Sequence, residues 1–137
     1  MNTVTLYRPV GLKELELIAE SGFQKYPPRL EWQPIFYPVL NKAYACQIAQ
    51  EWNTEDAFSG YCGIVTKFEL NAAHYAVYEV QNVGNEMHNE FWVPAEALET
   101  FNENIVGKIE IVAAFFGANF ETPDNLLIAD NLKHFQK

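Results

Sequence analysis

Apolar residues recur along the chain in two periods, and the switches between them predict its elements. Residues 3–7 alternate, with Val4 and Leu6 on one side and Thr3, Thr5 and Tyr7 on the other, as a half-buried strand requires; Arg8 continues the Val4 and Leu6 face. After Pro9 and Gly11, Leu12, Leu15 and Ile18, with Ala19 beside them, predict a helix over residues 12–21 that stops at Gly22. Glu14, Glu16 and Glu20 are expected on its solvent side. Residues 24–34 hold Pro27, Pro28 and Pro34, which fix φ and remove donors, so this stretch reads as an irregular loop.

Residues 35–37 are short, aromatic and β-branched, and predict a second strand. Asn41 can cap a helix reaching about Trp52, with Tyr44, Ile48 and Trp52 as its apolar stripe. Residues 53–59 form a polar loop. Residues 61–70 and 75–83 both alternate and read as antiparallel neighbours joined by a turn at 71–74. Residues 90–93 form another strand, and Pro94 opens a short helix with Leu98 and Phe101 inward. Gly107 leads into a final strand over 108–116, whose IEIVAAFF run is apolar enough for the middle of a sheet. Thr122 and Pro123 start a C-terminal helix carrying Leu126, Leu127, Leu132 and Phe135. The expected class is α+β: a mostly antiparallel, split or two-sheet β core with flanking helices, over residues 1–117, with 118–137 a helical extension packed on the domain or a partner.

Composition narrows what such a fold can serve. The 137 residues make about one domain, and the area scaling buries about two-thirds of the unfolded surface. A net charge of −9 argues against nucleic acid as a partner, since phosphate tracking starts from a basic stripe. With no apolar run behind a basic leader and none long enough for a membrane span, the expectation is a cytoplasmic protein without a membrane partner. Cys46 and Cys62 match no zinc or redox spacing and read as reduced packing residues. His74, His88 and His134 fit no ligand spacing, so no metal is expected.

Three elements of the sequence could carry chemistry. Arg8 closes the first strand on its inward face, and Arg29 lies in the proline-rich loop; these are the two arginines of the chain. A guanidinium there can clamp a phosphate or a ribose hydroxyl, or it can pair with a carboxylate as a structural clip. In the 90–93 strand, period two puts Glu90 beside Trp92, opposite Phe91 and Val93. A shielded carboxylate there can stabilise a developing positive charge, or serve as an edge-strand charge. Tyr37, just before Pro38, can stand over a cleft or pack in the core.

The runs LYRPVGLKELELIAESGF, IFYPVLNKAYACQIAQEWN, GIVTKF and EFWVPAEALETFNENIVGKIEIVAAFFG resemble a family of small bacterial proteins labelled "ADP-ribosylation/crystallin J1". More distantly, an L-Y-R strand end, a helix ending in Gly, an F-Y strand before a helix and a late strand carrying Glu are similar to the ADP-ribosyltransferase fold. That resemblance implies an NAD-dependent mono-ADP-ribosyltransferase-like protein, with NAD as substrate and an unassigned acceptor. Arg8 would hold the ribose or phosphate, Tyr37 would support the nicotinamide, and Glu90 would stabilise the oxocarbenium ion; Arg29 and Trp92 would add dinucleotide contacts. The Ser-Thr-Ser motif of that superfamily is missing, and His88 stands two residues before Glu90. The alternative implied function is a non-catalytic binding or adaptor domain of the same fold, with a protein partner or a second copy engaged through the C-terminal helix. Residues 24–34, with Arg29 and Trp32, are the candidate for a lid or recognition loop.

Overall fold

The computed structural model describes residues 2–28, 35–82, 84 and 88–135. Its frame is an antiparallel sheet in the order β1-β3-β7, formed by β1 (Thr3–Val10), β3 (Cys62–Asn71) and β7 (Ile105–Phe116). β1 runs three residues beyond the predicted strand, and its register pairs Leu6 with Phe68 and Arg8 with Thr66. β3, not the IEIVAAFF strand, takes the central position. Its residues 62–66 are all buried, as a strand covered on both faces must be, whereas β7 lies outermost in this order and begins two residues before Gly107.

Period two sends alternate strand residues to two cores. Leu6, Ile64 and Phe68 enter the larger one, where α1 (Leu12–Glu20) contributes Leu15 and Ile18 and α5 (Leu126–Lys133) contributes Ile128 and Leu132. Tyr26, Phe36, Phe68 and Phe101 interlock there, with centroid separations of 4.9 Å for Tyr26–Phe36, 5.3 Å for Tyr26–Phe68 and 5.5 Å for Phe36–Phe101. Each such pair adds about 0.5–1.5 kcal/mol beyond area burial. Thr66 gives its hydroxyl proton to the Arg8 carbonyl (2.7 Å), so the buried Tyr26 hydroxyl, 2.7 Å from the Thr66 oxygen, must be the donor of that second bond.

On the opposite face lies α2 (Lys42–Glu51), capped by Asn41, whose side chain accepts from the Tyr44 N–H at 2.7 Å. The cap falls where the sequence predicts it; the buried stripe does not. Ala45 and Ala49 face the sheet against Val39 and Val65, while Tyr44 and Ile48 are half-buried and Trp52 is exposed. Small residues win because the helix sits low on the sheet: a Cβ added at Gly63 would collide with the Ala49 backbone. The stripe of larger residues is thereby turned sideways.

Other expectations change. Among the described residues the strand predicted over 75–83 does not form: Ala72–Tyr75 makes α3, with Asn71 accepting from the Ala73 N–H at 2.9 Å, and of residues 75–82 only Gln81–Asn82 is a strand, β4. A local side-chain cap outweighed the weak alternation, and Val77 and Val80 end up exposed. β4 pairs with β5 (Asn89–Glu90), while β2 (Ile35–Phe36) pairs with β6 (Val93–Pro94), so the predicted 90–93 strand is divided between two pairings. Pro94 ends β6 and caps a 3₁₀ turn that precedes α4 (Leu98–Glu103). Asn125, not Thr122 or Pro123, caps α5, accepting from the Leu127 and Ile128 N–H groups. The fold is α+β, and every strand pairing among the described residues is antiparallel.

Candidate functional site

A hollow of about 530 Å³ opens where the outer edge of β1 loses its partner. Tyr7 and Val39 exchange both backbone hydrogen bonds (3.0 and 2.8 Å), and Val39 also bridges to Glu90. Beyond Tyr7, β1 continues to Val10 while its antiparallel neighbour, traced back through Pro38 and Tyr37, departs to β2, which pairs with β6 instead. Pro9 stands at the parting, with no N–H to leave unpaired. Arg8, Pro9 and Val10 line the base, and Lys13 and Glu14 of α1 one side. Ile48, Trp52 and Asn53 line another side, joined by Asp56, Phe58 and Ser59 from the two 3₁₀ turns that follow α2; Tyr37, Glu90 and Trp92 complete the wall. Gly11 lets Ser59 approach so closely that any Cβ there would strike its Cα and Cβ.

Arg8, Tyr37, Glu90 and Trp92 thus share one hollow, while Arg29 and Trp32 lie outside the described residues. Arg8 is clipped: Nε and Nη2 each donate to a Glu14 carboxylate oxygen at 3.1 Å, Nη1 reaches the Tyr37 carbonyl at 3.5 Å, and the guanidinium lies 4.9 Å from the Phe36 ring centre. Glu14, expected on the solvent side of its helix, faces inward because this bidentate pair repays its desolvation. Lys25 belongs to a different hollow, beside Pro27 and Asn102.

Glu90 is 8% exposed, so it is not a solubilising edge charge. The Tyr44 hydroxyl donates to its Oε2 at 3.0 Å and the Trp92 indole N–H to its Oε1 at 2.8 Å. Burial and then the neighbouring carboxylate push the Tyr44 phenol up to about 12, which keeps its proton in place as a donor. His88 packs beside the Tyr44 ring at 4.6 Å and reaches the Gln47 amide oxygen at 2.9 Å, steadying the phenol from behind. Across the hollow, Asn53 donates to the Ser59 hydroxyl (2.9 Å), which donates to Asp56 (2.6 Å). The buried Asn53 Oδ1 has no donor among the described residues.

Tyr37, Trp52, Phe58 and Trp92 bring exposed rings to this one place. Tyr37 is therefore not a core aromatic; it meets Trp92 edge-on at 6.5 Å. Sequence reasoning missed Tyr44, Trp52, Asn53, Asp56 and Phe58 as members of the site. A signal for two of them was present, since Tyr44 and Trp52 share one helix stripe, but Ala45 and Ala49 carry the same spacing and could not be ranked above them without the sheet. Cys46 and Cys62 are free thiols, and burial pushes both up, Cys62 to about 12, so neither is a ready nucleophile. Among the described residues no group of three His, Cys, Asp or Glu side chains gathers as a metal centre would need, and no helix is long and apolar enough to cross a membrane.

Against models of protein families, curated proteins and solved structures, the chain matches none.

Proposed function

We propose that the chain is a ligand-binding module whose site is the hollow beside β1, and that it binds without turnover. The observation that carries this reading is the gathering of four exposed aromatic rings around a carboxylate held by two donors. Ordinary surfaces scatter exposed apolar groups singly, whereas a cluster over a concave wall is what ligand sites display. The volume lies within the range of small-molecule pockets.

A second reading, ADP-ribosyl transfer from NAD, is favoured by the presence of Arg8 and Glu90 in the same hollow. Departure of nicotinamide builds positive charge on the ribose, and a fixed carboxylate lowers that barrier. The electrostatics favour binding alone. Three donors of Arg8 are already directed at Glu14 and the Tyr37 carbonyl, and Glu14, Asp56 and Glu90 outnumber Arg8 and Lys13 around the hollow, which repels an anionic pyrophosphate. Incubation with NAD labelled in the nicotinamide ring separates the two. No release of label is expected; steady release that Glu90→Gln abolishes would replace binding by transfer.

A further inference from the structure

We infer that the occupant of this hollow carries a guanidinium group, presented either by a free small molecule or by an arginyl side chain of a peptide. The inference rests on the binding reading above and adds the chemistry of the ligand. Around the hollow, each cation already has an acidic partner: Arg8 with Glu14 at 3.1 Å and Lys13 with Glu16 at 3.8 Å. Among the described residues, Glu90 and Asp56 have none. Their bonds come from neutral donors, the Tyr44 hydroxyl and Trp92 indole for Glu90 and the Ser59 hydroxyl and N–H for Asp56. A shielded carboxylate satisfied only by neutral groups still lacks a counter-charge, and here the open side of the hollow is where one can arrive.

Two further features choose a guanidinium over other cations. Each Glu90 oxygen accepts one bond and keeps acceptor capacity for a second, so the carboxylate can receive a two-pronged donor without releasing Tyr44 or Trp92. The indole is tied to that carboxylate, so a planar cation paired with Glu90 comes within reach of the Trp92 face, and Tyr37 stands edge-on to it. An alkylammonium is a compact, strongly hydrated charge that neither stacks nor binds a carboxylate in two parallel bonds.

Calorimetric titration of the full chain with N-acetyl-arginine amide, its citrulline analogue and ADP-ribose tests the inference. The arginine compound should bind at least about tenfold tighter than citrulline, which has the same shape without the charge. Raising NaCl from about 50 to about 500 mM should weaken arginine binding and leave citrulline unaffected. Glu90→Gln, in protein whose circular dichroism is unchanged, should lower arginine affinity by about tenfold. Tighter binding of an Ala-Ala-Arg-Ala-Ala peptide than of the amide assigns the peptide source; equal or weaker binding assigns the free compound. Equal affinity for arginine and citrulline, or binding of ADP-ribose alone, overturns the guanidinium and leaves the binding module standing. If no probe binds, both fall.

Discussion

Phe36 and Tyr37 are neighbours in sequence and do opposite work, as do Phe91 and Trp92. Phe36 and Phe91 are wholly buried, whereas Tyr37 is 41% and Trp92 49% exposed. The same alternation that packs one ring of each pair into the core delivers the next to the hollow, because successive side chains of an extended segment point to opposite sides. Aromatic content alone therefore says little about a residue's task. The core rings hold the sheet to its helices, whereas the rim rings face solvent beside Glu90 and Arg8.

Truncating each pair breaks this comparison most sharply. Phe91→Ala and Phe36→Ala should each lose about 3–5 kcal/mol in urea unfolding, from lost burial and a residual cavity. Tyr37→Ala should lose less than about 1 kcal/mol and Trp92→Ala about 1–3 kcal/mol, since it strips Glu90 of its indole donor, while both abolish ligand binding. Near-equal losses within a pair would mean that the rim rings are structural. A step smaller, Arg8→Met should cost about 1–3 kcal/mol by the same measurement, since it leaves the Glu14 carboxylate shielded and without its bidentate partner. Asn41→Ala should cost about 1 kcal/mol through the lost α2 cap, and would loosen Tyr44 and Trp52 together.

The smallest effect is in alkaline titration. The Tyr44 phenol is raised from 10.0 to about 12 in the folded chain, so the folded state holds that proton more tightly than the unfolded one. Its stabilising contribution is fully present below about pH 10 and is lost as pH rises through about 12. Stability measured across that window should fall less steeply in Tyr44→Phe than in the parent; identical slopes would remove the Tyr44 phenol, raised by burial and then by Glu90, as the source.

Local periodicity made much of this legible. Period two alone placed Glu90 beside Trp92 and opposite Phe91, and put Arg8 on the face of Leu6; the Asn41 cap followed from its side chain. What was not legible depended on how closely elements approach. Whether Ala45 and Ala49 or Tyr44 and Trp52 face the sheet is decided by Gly63, in a strand that begins 11 residues after α2 ends. That β3 is central could not be read from hydrophobicity, because β7 is equally apolar at its end. The closing of Arg8 by Glu14 required the turn at Gly11 to fold α1 back beside β1.

The central claim is that the aromatic rim is a binding surface, and the indole N–H signals of ¹⁵N-labelled protein test it most directly. On titration with N-acetyl-arginine amide, the account predicts that the Trp92 signal, donated to Glu90, moves progressively together with that of Trp52. Indole signals that stay fixed to saturation of the titrant, while the protein remains folded, would contradict it.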